Sequence, residues 1–244
     1  MYHRFNILSL LVLFLSSCSY SIKSIVEKSE SLVGESKKIN QQPIFYLEPE
    51  IDLFNISSTY TNNYLLTEQI NNTLNIEIKR SAKHYKIKIL QPNMFNFSNL
   101  TNIEKTKYLS LKRRILVANR IQDNPLNYIE RKTDKPFVQQ VFTTDPFIGY
   151  DYADLAKTLG TEMVGIIGVY SFDIKNKDKT LIQDIYSKYG FKNKCFIQYH
   201  YIVNLITGNI IYTEFRLVDK KLTPTYLYTT IYDSFYLLKK NLKQ

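Results

Sequence analysis

The sequence has no tryptophan, two cysteines, three histidines and only seven glycines among 244 residues. Two cysteines cannot frame a disulfide scaffold. Glycine is scarce, and no Gly-rich phosphate loop, CxxC, HExxH or GxSxG pattern occurs. The histidines, His3, His84 and His200, stand far apart in the chain, whereas a metal site draws two or more ligands at close spacing. His84, at a helix–strand junction, and His200, between Tyr199 and Tyr201, read as surface or satisfied core residues. The carboxylates make no better site. Asp151 reads as a helix cap, Asp154 as a solvated residue, and Glu162 and Asp173 as the polar ends of an apolar strand. No catalytic, metal-binding or cofactor-binding residue is expected, and the chain is read as non-catalytic. Long apolar runs are missing too. Ile7 to Leu15, interrupted by Ser9, falls well short of the roughly 20 residues needed to cross a hydrocarbon core as a helix.

What is abundant is lysine, asparagine, isoleucine and tyrosine. The 32 Lys and Arg against 22 Asp and Glu leave a formal charge of +10. An A+T-rich genome imposes such a mixture through its codons, which is one reading of the charge. The other is attraction to anionic surfaces: phospholipid headgroups, cell-wall polymer or an acidic partner. The 20 tyrosines carry the same two readings, codon bias or interface, and are dense at Tyr199, Tyr201, Tyr212, Tyr226, Tyr228, Tyr232 and Tyr236. Four Asn-x-Ser/Thr sequons, at Asn55, Asn71, Asn96 and Asn99, are expected by chance in so Asn-rich a chain.

The amino terminus is the most specific feature. Arg4 makes a basic n-region, Ile7 to Leu15 an apolar h-region, and Ser16-Ser17 place two small residues before Cys18. This is the layout of a secretory signal, and its ending resembles the lipobox of bacterial lipoproteins. The resemblance implies cleavage between Ser17 and Cys18 and lipid attachment to Cys18. The alternative is an ordinary signal followed by an incidental cysteine. Residues 1–17 are then the signal peptide, and 244 − 17 = 227 residues remain, enough to bury a core. Only Arg4 is lost from the charge, leaving 10 − 1 = +9. Residues 18–42, rich in Ser, Lys, Glu, Asn and Gln, read as the lipidated cysteine and a flexible tether. Its end-to-end distance as a coil is about 25–30 Å. Nucleic acid is a poor partner for an exported chain. Cys195 is left alone and reads as a small buried hydrophobe.

Residues 43–244 read as one domain. Ile44 to Leu47 is a short strand stopped by Pro49. Leu65, Leu66, Ile70, Leu74, Ile78 and Ala82 mark one face of a helix capped by Thr61, Asn62 or Asn63. Tyr85, Ile87 and Ile89 alternate with lysines as a half-buried strand. Thr101-x-x-Glu104 is a capping-box pattern opening a helix to about Ile121, with Tyr108, Leu109, Leu111, Ile115, Leu116 and Ala118 inward. Residues 122–150 read as a long loop, with one short strand at Phe137 to Phe142. Asp151 opens a helix ending at Leu159, with Gly160 in the C′ place. Met163 to Phe172 reads as a central strand buried on both faces. Asp173 to Lys194 is a polar loop or hairpin end. Phe196 to Ile206 and Ile210 to Val218 form a hairpin across Thr207-Gly208-Asn209. Thr223 caps a last helix with Pro224 at its first position and Leu227, Ile231, Phe235 and Leu238 inward to Leu242. The expected class is α+β, a mixed sheet of about four to five strands with helices packed on it.

Two stretches together carry a further resemblance. Asp154-Leu-Ala-Lys-Thr-Leu-Gly160-Thr-Glu-Met-Val-Gly-Ile-Ile-Gly168-Val and Tyr201-Ile-Val-Asn-Leu-Ile-Thr207-Gly208-Asn-Ile-Ile-Tyr212 resemble the helix, turn, strand and hairpin pattern of LpoB-type activators of penicillin-binding proteins. They also resemble the broader group of CsgG-like and TolB N-terminal-like lipoproteins. Thr161 and Glu162 stand where Ala-Asp is usual, Asn204 and Asn209 replace acidic residues, and Tyr212 replaces Trp. The resemblance implies a palmitate-bearing, non-catalytic lipoprotein without cofactor or metal. It would hang from the outer membrane, facing the periplasm, and bind and activate a peptidoglycan synthase. The alternatives are an envelope assembly or secretion accessory of the CsgG/TolB kind, or a surface-exposed adhesin.

Overall fold

The structure, a computed structural model, describes residues 22–28, 39–55, 64–118, 148–149, 152–173, 194–218 and 220–242. Its elements, in chain order, are β1 (Ile22–Lys28), β2 (Ile44–Tyr46), β3 (Glu50–Asn55), α1 (Tyr64–His84), β4 (Ile89–Leu90), α2 (Asn102–Ala118), α3 (Ala153–Leu159), β5 (Met163–Asp173), β6 (Lys194–Asn204), β7 (Ile210–Val218) and α4 (Pro224–Asn241). Two 3-10 turns, Pro92–Met94 and Phe97–Asn99, lie between β4 and α2.

The class is α+β with a mixed sheet, as expected from the sequence. The sheet runs β1-β7-β6-β5-β2-β4, with β3 also on β5. Seven strand segments fill six places, because β2 and β3 pair in succession along one edge of β5, parallel to it. β2–β4 is parallel as well, and the β5–β6, β6–β7 and β1–β7 pairs are antiparallel. The count exceeds the expected four to five through β3 and β1, neither of which was anticipated. β1 lies inside the stretch read as tether, and Ile39 at the end of that stretch is buried. The tether's remaining residues, 18–21 and 29–38, lie outside the described residues, as do the signal segment and the 122–147 loop with its Phe137–Phe142 strand.

Both faces of the sheet are covered. Ile70, Leu74, Ile78 and Ala82 of α1 and Leu227, Ile231, Phe235 and Leu238 of α4 pack on one face. Leu111, Ile115 and Leu116 of α2 and Leu155, Ala156 and Leu159 of α3 pack on the other. Each of the leucine, isoleucine and phenylalanine side chains contributes about 1.5–3 kcal/mol on leaving water, and each alanine less. β5 lies between the layers and is apolar and buried from Met163 to Val169, as a strand covered on both faces must be. Its two glycines make room for tyrosines from neighbouring strands. A Cβ at Gly165 would come within 2.7 Å of the Tyr46 ring, and one at Gly168 within 2.0 Å of the Tyr199 hydroxyl. Each tyrosine stands directly opposite its glycine in the register, one on each face.

The caps follow the sequence closely. Thr101 N donates to Glu104 Oε2 at 2.7 Å and Glu104 N to Thr101 Oγ1 at 3.2 Å, a complete capping box. Thr158 of α3 also donates to Glu104, which ties the two helices of that layer together. These hydrogen bonds, Thr158 first, hold the Glu104 carboxyl down at about 2. Thr223 Oγ1 accepts from Tyr226 N at the start of α4. Gly160 ends α3 at φ 70°, with Thr161 N reaching back to Ala156 O. α1 ends with the same backbone pattern, Ile87 N to Ala82 O and Lys86 N to Lys83 O, but a lysine holds the left-handed position at φ 56°.

Three expectations change. The strand read over Tyr85 to Ile89 shrinks to Ile89–Leu90, because the left-handed turn at Lys86 consumes its beginning. Leu109, expected inward, is 76 % exposed, because it lies off the stripe defined by Glu104, Tyr108, Leu111 and Ile115. α3 starts from Tyr152 without a side-chain cap, and Asp151 lies outside the described residues.

Candidate functional site

The sheet face under α4 carries an unusual run of polar side chains. On β7, Tyr212, Glu214 and Arg216 alternate toward this face. On β6, Gln198 and His200 do the same, and α4 contributes Ser234. All are at most 2 % exposed. Tyr46 OH lies 2.8 Å from His200 Nε2, and His200 Nδ1 lies 2.9 Å from Ser234 Oγ. Ser234 Oγ donates to Glu214 Oε2 at 2.6 Å, Tyr212 OH donates to the same oxygen at 3.0 Å, and Arg216 Nε donates to Glu214 Oε1 at 2.6 Å.

The directions follow from one constraint. The Ser234 proton is spent on Glu214, so Ser234 Oγ can only accept from His200 Nδ1. His200 Nε2 is then an acceptor for Tyr46. The whole relay points at one carboxylate. Burial first, and Arg216 second, hold His200 down at about 3, so it is neutral at any ordinary pH. Burial and the Glu214 charge push the phenols of Tyr46 and Tyr212 well up. Arg216 makes a second, outward contact to Asp233 at 3.4 Å. Its Nη2 and the Gln198 amide opposite it in the register have no hydrogen-bond partner among the described residues.

A serine, a histidine and a carboxylate in hydrogen-bonded contact invite comparison with a nucleophile and its base. The order is wrong for that role. The serine gives its proton to the carboxylate and receives one from the imidazole, and at 0 % exposure no substrate reaches it. The relay is an internal clamp joining β2, β6 and β7 to α4.

An open cleft among the described residues lies elsewhere, along α2 beside Tyr152. It has a volume of about 440 Å³ and is lined by Asn102, Ile103, Thr106, Lys107, Ser110 and Arg114. Lys107 Nζ lies 4.0 Å from Asp154 Oδ2, and the Arg114 guanidinium sits 5.8 Å from the Tyr152 ring centre. Its hydroxyls are occupied: Thr106 donates to Asn102 O and Ser110 to Lys107 O. What it offers is positive charge.

The candidate residues read from the sequence are scattered. Ser17 and Cys18 lie outside the described residues. Cys195 stands in β6 opposite Phe172. His84 is on the surface, 2.8 Å from Tyr232 OH. Asp154 lies in α3 and Glu162 just before β5, the Asp173 side chain lies outside the described residues, and no cluster of three potential metal ligands occurs among the described residues. No helix among them is long and apolar enough to cross a membrane. The relay was missed in the sequence, although its signal is there. Polar residues at 212, 214 and 216 alternate along β7, and Thr230 and Ser234 interrupt an otherwise apolar helix face.

No protein-family model matches the chain. The protein Ycf2 of Physcomitrium patens is 25% identical over 210 residues, 73% of this chain, but the chain spans only 9% of that protein's length. Among solved structures, the PelC dodecamer from Paraburkholderia phytofirmans aligns over 87% of this chain and 94% of its own, at a TM-score of 0.36 and 5% identity. A variant PelC dodecamer aligns over 92% and 99% at a TM-score of 0.33 and 4% identity. Likenesses of this size fix neither family nor assembly.

Proposed function

We propose that this chain is a non-catalytic lipoprotein, held at an envelope membrane through a lipid on Cys18, that binds and activates a peptidoglycan synthase of the penicillin-binding class. One observation supports the reading above the rest. The two stretches that carry the LpoB-type resemblance meet as one unit. α3 and Gly160 lead into β5, and β5 pairs along its length with β6 of the β6–β7 hairpin, with Met163 opposite Asn204 and Gly168 opposite Tyr199. The Thr207-Gly208 turn closes with Asn204 Oδ1 accepting from Ile206 N at 2.8 Å and Thr207 N at 3.2 Å. Gly208 takes φ 75° there, which a side chain would resist. The polar asparagine thus serves the turn, where the pattern has an acidic residue.

Activation by such a module is a population shift: it binds the active conformation of the synthase better than the resting one. The test is crosslinking of the full chain in cells, followed by recovery from envelope extract. A penicillin-binding protein among the specific crosslinks is the expected result. Repeated recovery without one overturns the proposal. Mass spectrometry of the same material should find an acylated Cys18 at the amino terminus, and an unmodified Met1 there overturns the anchoring.

A further inference from the structure

The groove between α1 and α4 carries a seam of aromatic and cationic side chains on its solvent side. Ile76, Arg80 and His84 recur at four-residue steps on α1, and Tyr228, Tyr232 and Tyr236 do so on α4. The Arg80 guanidinium lies 5.0 Å from the Tyr228 ring centre, and His84 Nε2 lies 2.8 Å from Tyr232 OH. Tyr85 joins the row, 5.0 Å from Tyr232 and 6.1 Å from Tyr236 between ring centres. The seam is open to water: Ile76 is 61 % exposed, Tyr236 51 % and Tyr228 37 %.

We infer that this seam is the docking surface for an acidic segment of a partner protein. The sign of the partner follows from what surrounds the rings. Lys79, Arg80, Lys83 and Lys86 of α1 and its end, and Lys240 of α4, are all exposed around the seam. The acidic residues nearby are fewer than these five cations. Glu77, 8 % exposed, lies 3.9 Å from Arg80 itself, and Asp233 is in part engaged by the buried Arg216. The class of partner follows from the rings. Tyrosine and arginine are enriched at the centres of protein interfaces, tyrosine because it presents area at low entropic cost and arginine because its planar fork of donors binds carboxylates. Here the ring contacts and the His84 hydrogen bond already hold that area in place, which lowers the cost of ordering it on binding. A bilayer would favour Leu, Phe or Trp reaching into the acyl region, whereas this surface presents phenols. The cationic α2 cleft lacks such a row of rings.

The inference rests on reading the chain as a binding protein, but not on the partner being a synthase. The probe is a fluorescein-labelled peptide of about twelve residues built from Glu, Phe and Pro, titrated with the full chain in detergent and followed by anisotropy. Affinity is expected to fall as salt rises from about 50 to about 300 mM, since the charges are exposed. Arg80→Glu should weaken binding at least tenfold, by charge reversal at the seam's centre, and Tyr236→Ala about five-fold. Both replace exposed side chains, so folding is retained. Leu109→Ala on α2 should change nothing. Equal binding by wild type and seam variants overturns the inference. So does displacement of the peptide by phosphatidylglycerol vesicles whose own binding needs the same residues, since the seam would then be a lipid surface. Repeating the cellular crosslink with Arg80→Glu separates the two proposals. A synthase recovered equally by wild type and variant overturns the seam and leaves the function standing. Seam-dependent peptide binding with no synthase recovered does the reverse.

Discussion

Acid should destabilise this fold through one buried residue, His200. The imidazole is fully buried, with Tyr46 OH on Nε2 and Ser234 Oγ on Nδ1. Glu214 Oε2 stands 4.0 Å from Nδ1, but its charge is already met by Arg216 at 2.6 Å. The rings of Tyr212 and Phe235 pack against the imidazole from β7 and α4, at 5.2 and 5.6 Å between centres. Folding therefore lowers the histidine from its ordinary 6.5 to about 3. A depressed folded value means that the contribution to stability is complete above 6.5 and is lost as pH falls toward 3. At pH of about 5 the unfolded chain has bound the proton and the folded chain has not, one and a half units below 6.5. At ~1.36 kcal/mol per unit this costs about 2 kcal/mol. In urea, with a slope of about 2 kcal/mol per molar, the midpoint should drop by about 1 M between pH 8 and pH 5. Glu104, depressed from 4.5 to about 2, acts with the same sign but below this window. The control is His200→Gln, which is less stable throughout but lacks the imidazole. Its midpoint should lose about 1 M less than the wild type over the same pH interval. Equal losses in the two proteins would refute the argument.

Three substitutions test the packing more directly. Glu214→Ala strips the charge from the centre of the relay and leaves Arg216 buried beside it, and thermal or urea unfolding should show a loss of about 3–5 kcal/mol. Lys86→Gly relieves the left-handed residue at the end of α1, and the same assay should show a gain of about 1 kcal/mol; no gain would mean that the lysine is not strained there. Gly168→Ala places a methyl group against the Tyr199 hydroxyl and ring, 2.0 Å from the hydroxyl and 2.2 Å from the ring carbon that bears it, and should cost about 3 kcal/mol, recovered in part by Tyr199→Leu, which removes the ring, and not by Tyr199→Phe, which keeps it.

The elements that were legible in the sequence are those whose signal is local. The hairpin at Thr207-Gly208, the capping box at Thr101 and Glu104, and the stripe of α4 each lie within a few residues of one another, and each formed as read. What was missed depends on partners far away in sequence. β3 is a strand because β5 offers it an edge more than a hundred residues later, and β1 because β7 does. Lys86 hid a helix end because the sequence signal for a left-handed cap is glycine, which Gly160 has and Lys86 lacks. The relay was hidden for a different reason. Tyr212, Glu214 and Arg216 look like the solvent face of an edge strand, and only the arrival of Ser234 from α4 turns that face into an interior. The seam was half visible: the tyrosines stood out, but their alignment with Arg80 and His84 needs the two helices side by side.

The place of β1 bears on how the protein would sit on a bilayer. Its first residue, Ile22, is hydrogen-bonded into the sheet margin beside Val218. Only three residues separate it from Cys18, and the four Cα–Cα steps between them reach at most about 14 Å when fully stretched. An acyl chain on Cys18 would therefore moor the sheet's β1 rim directly against the headgroups, as a boat is held tight to a quay instead of riding on a long line.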